Sequence, residues 1–560
     1  MISINGRSAF LTLLKDEGVT HLFGNPGTTE LPIMHALKEH QDLTYVLGLQ
    51  ESVVLGMADG FSRASGQLVA CNVHVAPGLG NAMGALYNAK FTGTPMILTA
   101  GQQEQGHGLT EPLLYDSLVP IAAPLVKWAV EVSRIEDLPR IVRRAAKVAT
   151  TPPTGPVFLS LPGDVLNQEA TIDLGTRTRV DAASRPSDAS LEGFAERLLQ
   201  AKSPVIISGH EVATSDALAQ AARFAEILGA PVYQQTVAHG AHYFSEHAAF
   251  MGGLDRYQPR VRNILAQHDL LIVLGADVLR MSVWHEVDPL PEGMAVVQIG
   301  QRDWEMGKNY PTEIALRSDV RETLRALNPL LEARGGESLA AAAKTTLAGL
   351  AEQNWSAKRE RLRETALAMG EARPLDPDYV MLRVTEALPK EAVVVDEGLT
   401  STRALTSLWP YRDRGSYYGL VSGGIGWGIA AAVGIQLANR ERPVLAVIGD
   451  GSAMYSIQAL WTAVHHNLPL TYLIADNGGY RILKQRLLAF HQNDEFIGMD
   501  FKNPAIDFVQ LAQSLGMSAR RITEPDEVGP AVEAEIASGK PSLLSVVVDG
   551  TVGRDPGGDR

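Results

Sequence analysis

Val444-Leu445-Ala446-Val447-Ile448, followed at once by Gly449-Asp450-Gly451-Ser452, is the stretch that sets the fold class. An unbroken apolar run of this length predicts a strand buried on both faces of a parallel sheet. The small residues at its end permit a tight turn and close approach of the backbone to a ligand. Downstream, Ile457, Leu460, Trp461 and Val464 share one face of a helical repeat, which predicts a helix ending at Asn467-Leu468-Pro469. A second apolar run, Leu470 to Ala475, then delivers Asn477-Gly478-Gly479 at its carboxyl end. In a right-handed strand–helix–strand unit, Asp450 and Asn477 emerge on the same edge of the sheet. Hard oxygen donors beside a helix N-terminus suit Mg²⁺ and a diphosphate.

Working outward, the same style recurs along the 560 residues, a length that suggests about three domains. Tyr45 to Leu49, Leu68 to Val73 and Pro95 to Ala100 predict strands alternating with helices in a first domain, 1–180, punctuated by Pro152-Pro153 and Pro162-Gly163. A polar stretch from Val180 to Ser190 predicts a linker. Apolar runs at Pro204 to Gly209, Leu270 to Gly275 and Ala295 to Ile299 predict a middle domain, 190–331. Glu332 to Arg373 is charged and poor in strand formers, a helical connector. A third domain, 374–550, has strands at Ala392 to Val395, Pro443 to Ile448, Leu470 to Ala475 and Ser542 to Val548. The expected fold class is α/β, with three domains of parallel sheets flanked by helices and no short-period repeat.

A net charge of −14 argues against nucleic acid or an anionic membrane as partner. The single cysteine, Cys71, excludes an internal disulfide and falls in an apolar strand, where an inert core thiol is expected. The N-terminus lacks the basic-then-apolar pattern of a signal peptide, and no apolar run reaches membrane-spanning length. Cytoplasmic residence is the resulting expectation.

Gly-Asp-Gly with the spaced Asn-Gly resembles the metal-binding signature of thiamine diphosphate (ThDP) enzymes. An independent set lies in the first domain: Phe23-Gly24-Asn25-Pro26-Gly27, Glu30-Leu31-Pro32, Leu49-Gln50-Glu51, His74-Val75-Ala76-Pro77-Gly78 and Gly80-Asn81-Ala82-Met83-Gly84. Their order is similar to that of the benzoylformate decarboxylase family and, more loosely, of the acetolactate-synthase-like group. The likeness continues through Gly101-Gln102-Gln103, Leu125-Val126-Lys127-Trp128, Ser416-Tyr417-Tyr418 and Gly423-Gly424. It implies ThDP and Mg²⁺ as cofactors, with pyrimidine-binding, middle and diphosphate-binding domains in that order. It further implies a homodimer or homotetramer with sites at subunit interfaces, acting on a small 2-oxo acid.

By that resemblance Asp450, Asn477 and the Gly479 carbonyl bind the metal. Asn25, Pro26, Gly27, Asn81, Thr400, Gly423, Ile425, Gly451 and Ser452 form the cofactor's surroundings; Ile425 props it in a bent form and Gly423 offers a carbonyl. Glu51 bonds the aminopyrimidine and promotes loss of the thiazolium C2 proton. His74 and His285 are the matching imidazoles, and Thr28 stands where the relatives carry a Ser. Each has a plainer alternative: Glu51 as a helix-start carboxylate, His74 as a strand-end structural residue, Ile425 as core. His465-His466 falls at a predicted helix end, where it serves as a C-terminal cation rather than a catalytic pair. Gly78-Leu79-Gly80 lacks the spacing of a dinucleotide loop, because the next Gly comes at Gly84.

Where the relatives carry aromatic pocket residues this chain has Gly419 and Arg486, with Ile482 between, although Leu113 and Leu114 keep an apolar wall. Arg481, Lys484 and Arg486 are expected on a solvated helix face. The expected reaction is decarboxylation of a 2-oxo acid to an aldehyde and CO₂. The alternatives are a carboligase or 2-hydroxyacyl-CoA lyase, a ThDP-binding protein without turnover, and a nicotinamide oxidoreductase. FAD binding by the middle domain is left open.

Overall fold

Three six-stranded sheets, every neighbour pair in them parallel, follow one another along the chain in this computed structural model, which describes residues 1–552 except Val283. In the first, the strands lie side by side as 44–47, 21–24, 69–73, 96–102, 157–162 and 129–131. In the third the order is 417–419, 393–397, 444–449, 470–476, 542–547 and 518–522. Numbered within each domain, both read 2-1-3-4-6-5. The middle sheet runs 250–253, 232–234, 204–208, 270–274, 295–300 and 314–317, hence 3-2-1-4-5-6. A short antiparallel pair, Ile2–Asn5 with Glu169–Ile172, ties the N-terminus down. Among the described residues no helix is long and apolar enough to cross a membrane.

These orders matter because ligands in open α/β sheets bind beyond the carboxyl ends of the strands where the winding reverses. In the first sheet that point lies between His21–Gly24 and Val69–Val73, in the third between Val393–Glu397 and Val444–Gly449. Asn25 and His74 follow the first pair directly; Asp450 follows the second.

The first and third domains share one core: Phe23 and Val73 join Val393 and Ile448 in a single buried cluster. Two helices, Glu51–Ser65 and Trp427–Ala438, make the junction. They approach so closely that a Cβ on Gly60 would lie 2.2 Å from the Ala431 carbonyl, and one on Gly434 1.8 Å from that of Met57. Buried Asp59 accepts the Trp427 indole N–H at 2.6 Å, and Arg63, stacked 4.5 Å from the Trp427 ring, donates to the carbonyls of His239 and Gly419. Arg63 therefore touches all three domains.

The expected helix after Gly451 is instead two short ones, Asp450–Ala453 and Ala459–His465. Between them Ser456 donates its hydroxyl to the Gly426 carbonyl, a tertiary bond that pulls the segment out of helical register. The strand expected at Tyr45 to Leu49 is Thr44–Leu47. The expected linker is partly helical, since Asp188–Leu199 begins inside it.

Candidate active site

In the third domain the Asp450 carboxylate organises the loop it faces. Its Oδ2 accepts the amides of Asn477 (3.1 Å), Gly478 (2.7 Å) and Gly479 (3.1 Å), and its Oδ1 accepts that of Gly451 at 2.7 Å. Gly478 sits at φ +73°, a left-handed conformation that suits glycine in this turn. A Cβ on Gly451 would meet the Tyr480 ring at 2.8 Å. Burial, with Asp476 nearby, pushes the Asp450 carboxyl up to about 6 against the opposing pull of the amides. Two carboxylates held close in a desolvated loop favour a cation. Asn477 donates its carboxamide N–H to Ser401 Oγ at 3.1 Å. Carboxylate, carboxamide and carbonyl oxygens are the donor set a small hard divalent ion prefers, so these residues fit Mg²⁺. Thr400 and Ser401 are buried in the turn after Val393–Glu397.

Glu397 was not singled out by the sequence. It is 2% exposed, and its carboxyl accepts the amides of Gly426 (2.6 Å) and Gly428, capping the helix Trp427–Ala438. It thereby pins the Gly423–Gly426 loop, which Asn88 of the first domain also holds by donating to the Gly424 carbonyl at 2.7 Å. Burial pushes Glu397 up to about 8, with Asp396 adding to the rise and the two amides opposing it. Measured against the ordinary value of 4.5, the folded chain holds an extra proton in that window. Its contribution to stability is complete below that value and is lost as pH rises through about 8. Glu397→Gln, which cannot ionise, should give a flatter thermal midpoint against pH over this range. Parallel profiles for the two proteins would remove Glu397 from the account.

In the first domain, helix Glu51–Ser65 is N-capped by Gln50, whose Oε1 accepts the amides of Ser52 (2.6 Å) and Val53 (3.2 Å). Capping is therefore not the task of Glu51. Its carboxylate, 8% exposed, accepts the Asn81 side-chain N–H at 3.0 Å, and a Cβ on Gly78 would stand 2.9 Å from it.

His74 lies across Gly27, where a Cβ would strike the ring at 2.2 Å. Its Nδ1 pairs with Glu30 Oε2 at 2.8 Å and lies 3.1 Å from Thr29 Oγ1. Glu30, 1% exposed, also accepts the amides of Gly27 and Gly101, each at 2.8 Å. This carboxylate fixes the imidazole with Nδ1 inward and leaves Nε2 for chemistry. Glu30 was quoted only as part of a motif; with Gly27 three residues before it there is no capping-box side chain, and its bonds to His74 and Gly101 are tertiary, so no local signal marked it. Thr28, exposed, opens the same turn, and Asn25 donates to the Gly48 carbonyl at 2.8 Å.

The remaining residues are placed less centrally. His285 is half-buried in the middle domain, edge-on to Tyr257 at 5.4 Å, with Nδ1 accepting the Val287 amide. His465 ends its helix and stacks on Trp461 at 4.8 Å. Lys484 departs from the solvated face expected of it: it is 7% exposed and pairs with Asp500 at 2.7 Å, while Arg486 lies 5.7 Å from the Phe490 ring. Ile425 donates its amide to the Gly423 carbonyl at 2.9 Å, which leaves that oxygen a second lone pair. Among the described residues no hydrogen bond links the Glu51–Asn81 pair to the Asp450 loop.

Comparison with known proteins accords with this layout. Residues 4–113, 191–327 and 398–546 match the N-terminal TPP-binding, central and C-terminal TPP-binding domains of thiamine pyrophosphate enzymes. Domains of this order and topology define a ThDP enzyme. Benzoylformate decarboxylase of Pseudomonas aeruginosa is 35% identical over 96% of this chain and 98% of its own. Glyoxylate carboligase of Escherichia coli O157:H7 is 26% identical over 98% and 93%. The structure of a Rhodococcus jostii ThDP-dependent 4-hydroxybenzoylformate decarboxylase superposes with TM-score 0.87 at 30% identity, covering 99% of this chain and all of that one. The chain belongs to the ThDP-dependent decarboxylase family, in the benzoylformate decarboxylase-like group, and is an enzyme of the carbon–carbon lyase class.

Proposed function

We propose that this enzyme decarboxylates a 2-oxo acid without oxidation: the bond between the carboxylate and keto carbons breaks, CO₂ leaves, and a proton taken up at the former keto carbon gives an aldehyde. The observation that carries this is the Glu51 carboxylate, relieved of helix capping by Gln50 and held by Asn81 on the edge that also bears His74. Bound ThDP supplies the nucleophilic carbon and the electron sink. Glu51 would hold a proton at the aminopyrimidine, with Asn25, Pro26, Gly27 and Asn81 around it. Gly423 would accept a hydrogen bond from the same ring, and Ile425 would brace the cofactor. Asp450, Asn477 and the Gly479 carbonyl would hold Mg²⁺, with Thr400, Gly451 and Ser452 beside the diphosphate. His74, oriented by Glu30, presents Nε2 to donate or accept the substrate's proton; Thr28 adds a hydroxyl there, and His285 supplies a second imidazole.

In line with the family likeness, the reading includes a homodimer or homotetramer that brings the first domain of one copy to the third domain of another. Exposed apolar residues on both support it: Leu109 and Leu113 on the first, Phe490 and Ile497 on the third. Likeness to a carboligase favours one alternative, in which the acyl unit is passed to a second carbonyl. The test is a panel of aliphatic, aromatic and dicarboxylic 2-oxo acids incubated with enzyme, ThDP and Mg²⁺, with CO₂ and organic products followed by mass spectrometry. Aldehyde matching CO₂ one for one is expected. Ligated products alone would replace decarboxylation by the alternative, and no CO₂ from any acid would end the proposal.

A further inference from the structure

Away from the cofactor edges, a cleft of about 550 Å³ opens between the middle and third domains. Four arginines line it: Arg321 and Arg325 from the middle domain, Arg412 and Arg414 from the third. Asp216 and Asp413 also line it, so four arginines against two aspartates leave the lining net positive in a chain of net charge −14.

The charges are incompletely matched. Arg321 lies 3.7 Å from Asp216 and 3.3 Å from Glu322, and Arg325 shares Glu322 at 3.3 Å. Across the cleft, Asp413 is committed elsewhere: it accepts from Arg442 at 3.3 Å, the Ser416 hydroxyl at 3.2 Å and the Gly415 amide at 2.7 Å. Arg412 stacks 5.6 Å from the Trp409 ring and makes one long bond, 3.5 Å, to the Lys390 carbonyl. Among the described residues neither Arg412 nor Arg414 has a carboxylate within ion-pair distance. Phe244 and Leu218 give the same cleft an apolar wall, and a smaller cavity of about 290 Å³, sharing Gln220 and Arg325, extends it.

We propose that this cleft binds a nucleotide-sized phosphate anion, its phosphates held between Arg412 and Arg414 on one wall and Arg321 and Arg325 on the other, its organic part against Phe244. Guanidinium forks match phosphate oxygens in pairs, which explains arginine rather than lysine at all four places. The volume falls within the range of small-molecule sites. The occupant would bridge two domains. Arg412 and Arg414 also lead into strand Tyr417–Gly419, whose Tyr417 hydroxyl donates to Asp396 at 2.9 Å, next to the helix-capping Glu397. Binding would thus bear on the diphosphate-domain edge from behind.

The test uses holoenzyme saturated with ThDP and Mg²⁺, titrated calorimetrically with ADP, with inorganic pyrophosphate and with adenosine. ADP should bind once per chain with submillimolar affinity that weakens as salt rises. Adenosine should not bind, and pyrophosphate should bind more weakly than ADP. Arg412→Ala/Arg414→Ala, checked for an unchanged thermal midpoint, should cost at least tenfold in affinity, and Arg325→Ala alone should also weaken binding. No ADP binding at millimolar concentration would overturn the proposal. So would binding that both variants leave unchanged, or binding that excess ThDP displaces.

Discussion

Glu51→Gln should lower turnover of the preferred 2-oxo acid by about 10²–10⁴-fold, the range that a positioned proton-transfer group contributes. The substitution isolates the proton. Glutamine keeps the shape, and its Oε1 can still accept the Asn81 N–H that Glu51 accepts at 3.0 Å. The helix keeps its start, because Gln50 supplies the cap. The variant is therefore expected to fold, which its thermal midpoint checks. Steady-state rates and NMR-detected exchange of the thiazolium C2 proton should fall together, while ThDP affinity holds. A variant with the parent's exchange rate and turnover would show that this carboxylate does no chemistry. A fall in turnover with exchange unchanged would assign it to a later step.

The parallel-sheet fold could be read from the sequence because strands covered on both faces are written as continuous apolar runs. Val444 to Ile448 and Leu270 to Leu274 emerge as buried strands at those positions. Short edge strands carry no such mark: Ala129–Glu131 and Tyr417–Gly419 have three residues each, too few for a periodic signal. Tertiary bonds are invisible for a different reason. Glu397 reaches amides at Gly426 and Gly428, and Asn88 reaches Gly424 across 336 residues of chain. Nothing local at either position announces this. Lys484 looked like part of a cationic helix face, but its burial depends on Asp500 in a loop 16 residues further on. Conversely, the carboxyl-edge positions of Glu51, His74 and Asp450 were legible, since strand order puts every strand end of a parallel sheet on one rim.

Asp450→Ala should abolish Mg²⁺-dependent ThDP binding over the concentrations that saturate the parent, a loss of at least about a hundredfold in affinity. The carboxylate does two things at once. In the proposed reading it is the charged ligand of the metal, and in the structure it already gathers the amides of Asn477, Gly478 and Gly479 on one oxygen. Removing it leaves those donors, of which Gly479 is buried and Asn477 and Gly478 half-buried, without that acceptor, at about 1–3 kcal/mol for each that water cannot reach. Both effects act in one direction, so a second substitution must separate them. Asp450→Asn keeps a carbonyl oxygen for the amides but no negative charge. If Asp450 is a metal ligand, the Asn variant should retain most of the thermal stability lost by Ala and still bind Mg²⁺ and ThDP poorly. Calorimetric titration with Mg²⁺ and ThDP, alongside thermal midpoints in EDTA, reads both quantities. EDTA should likewise release ThDP from the parent protein. An Asn variant whose metal-dependent ThDP affinity equals the parent's would leave Asp450 as an organiser of the loop and move the metal elsewhere.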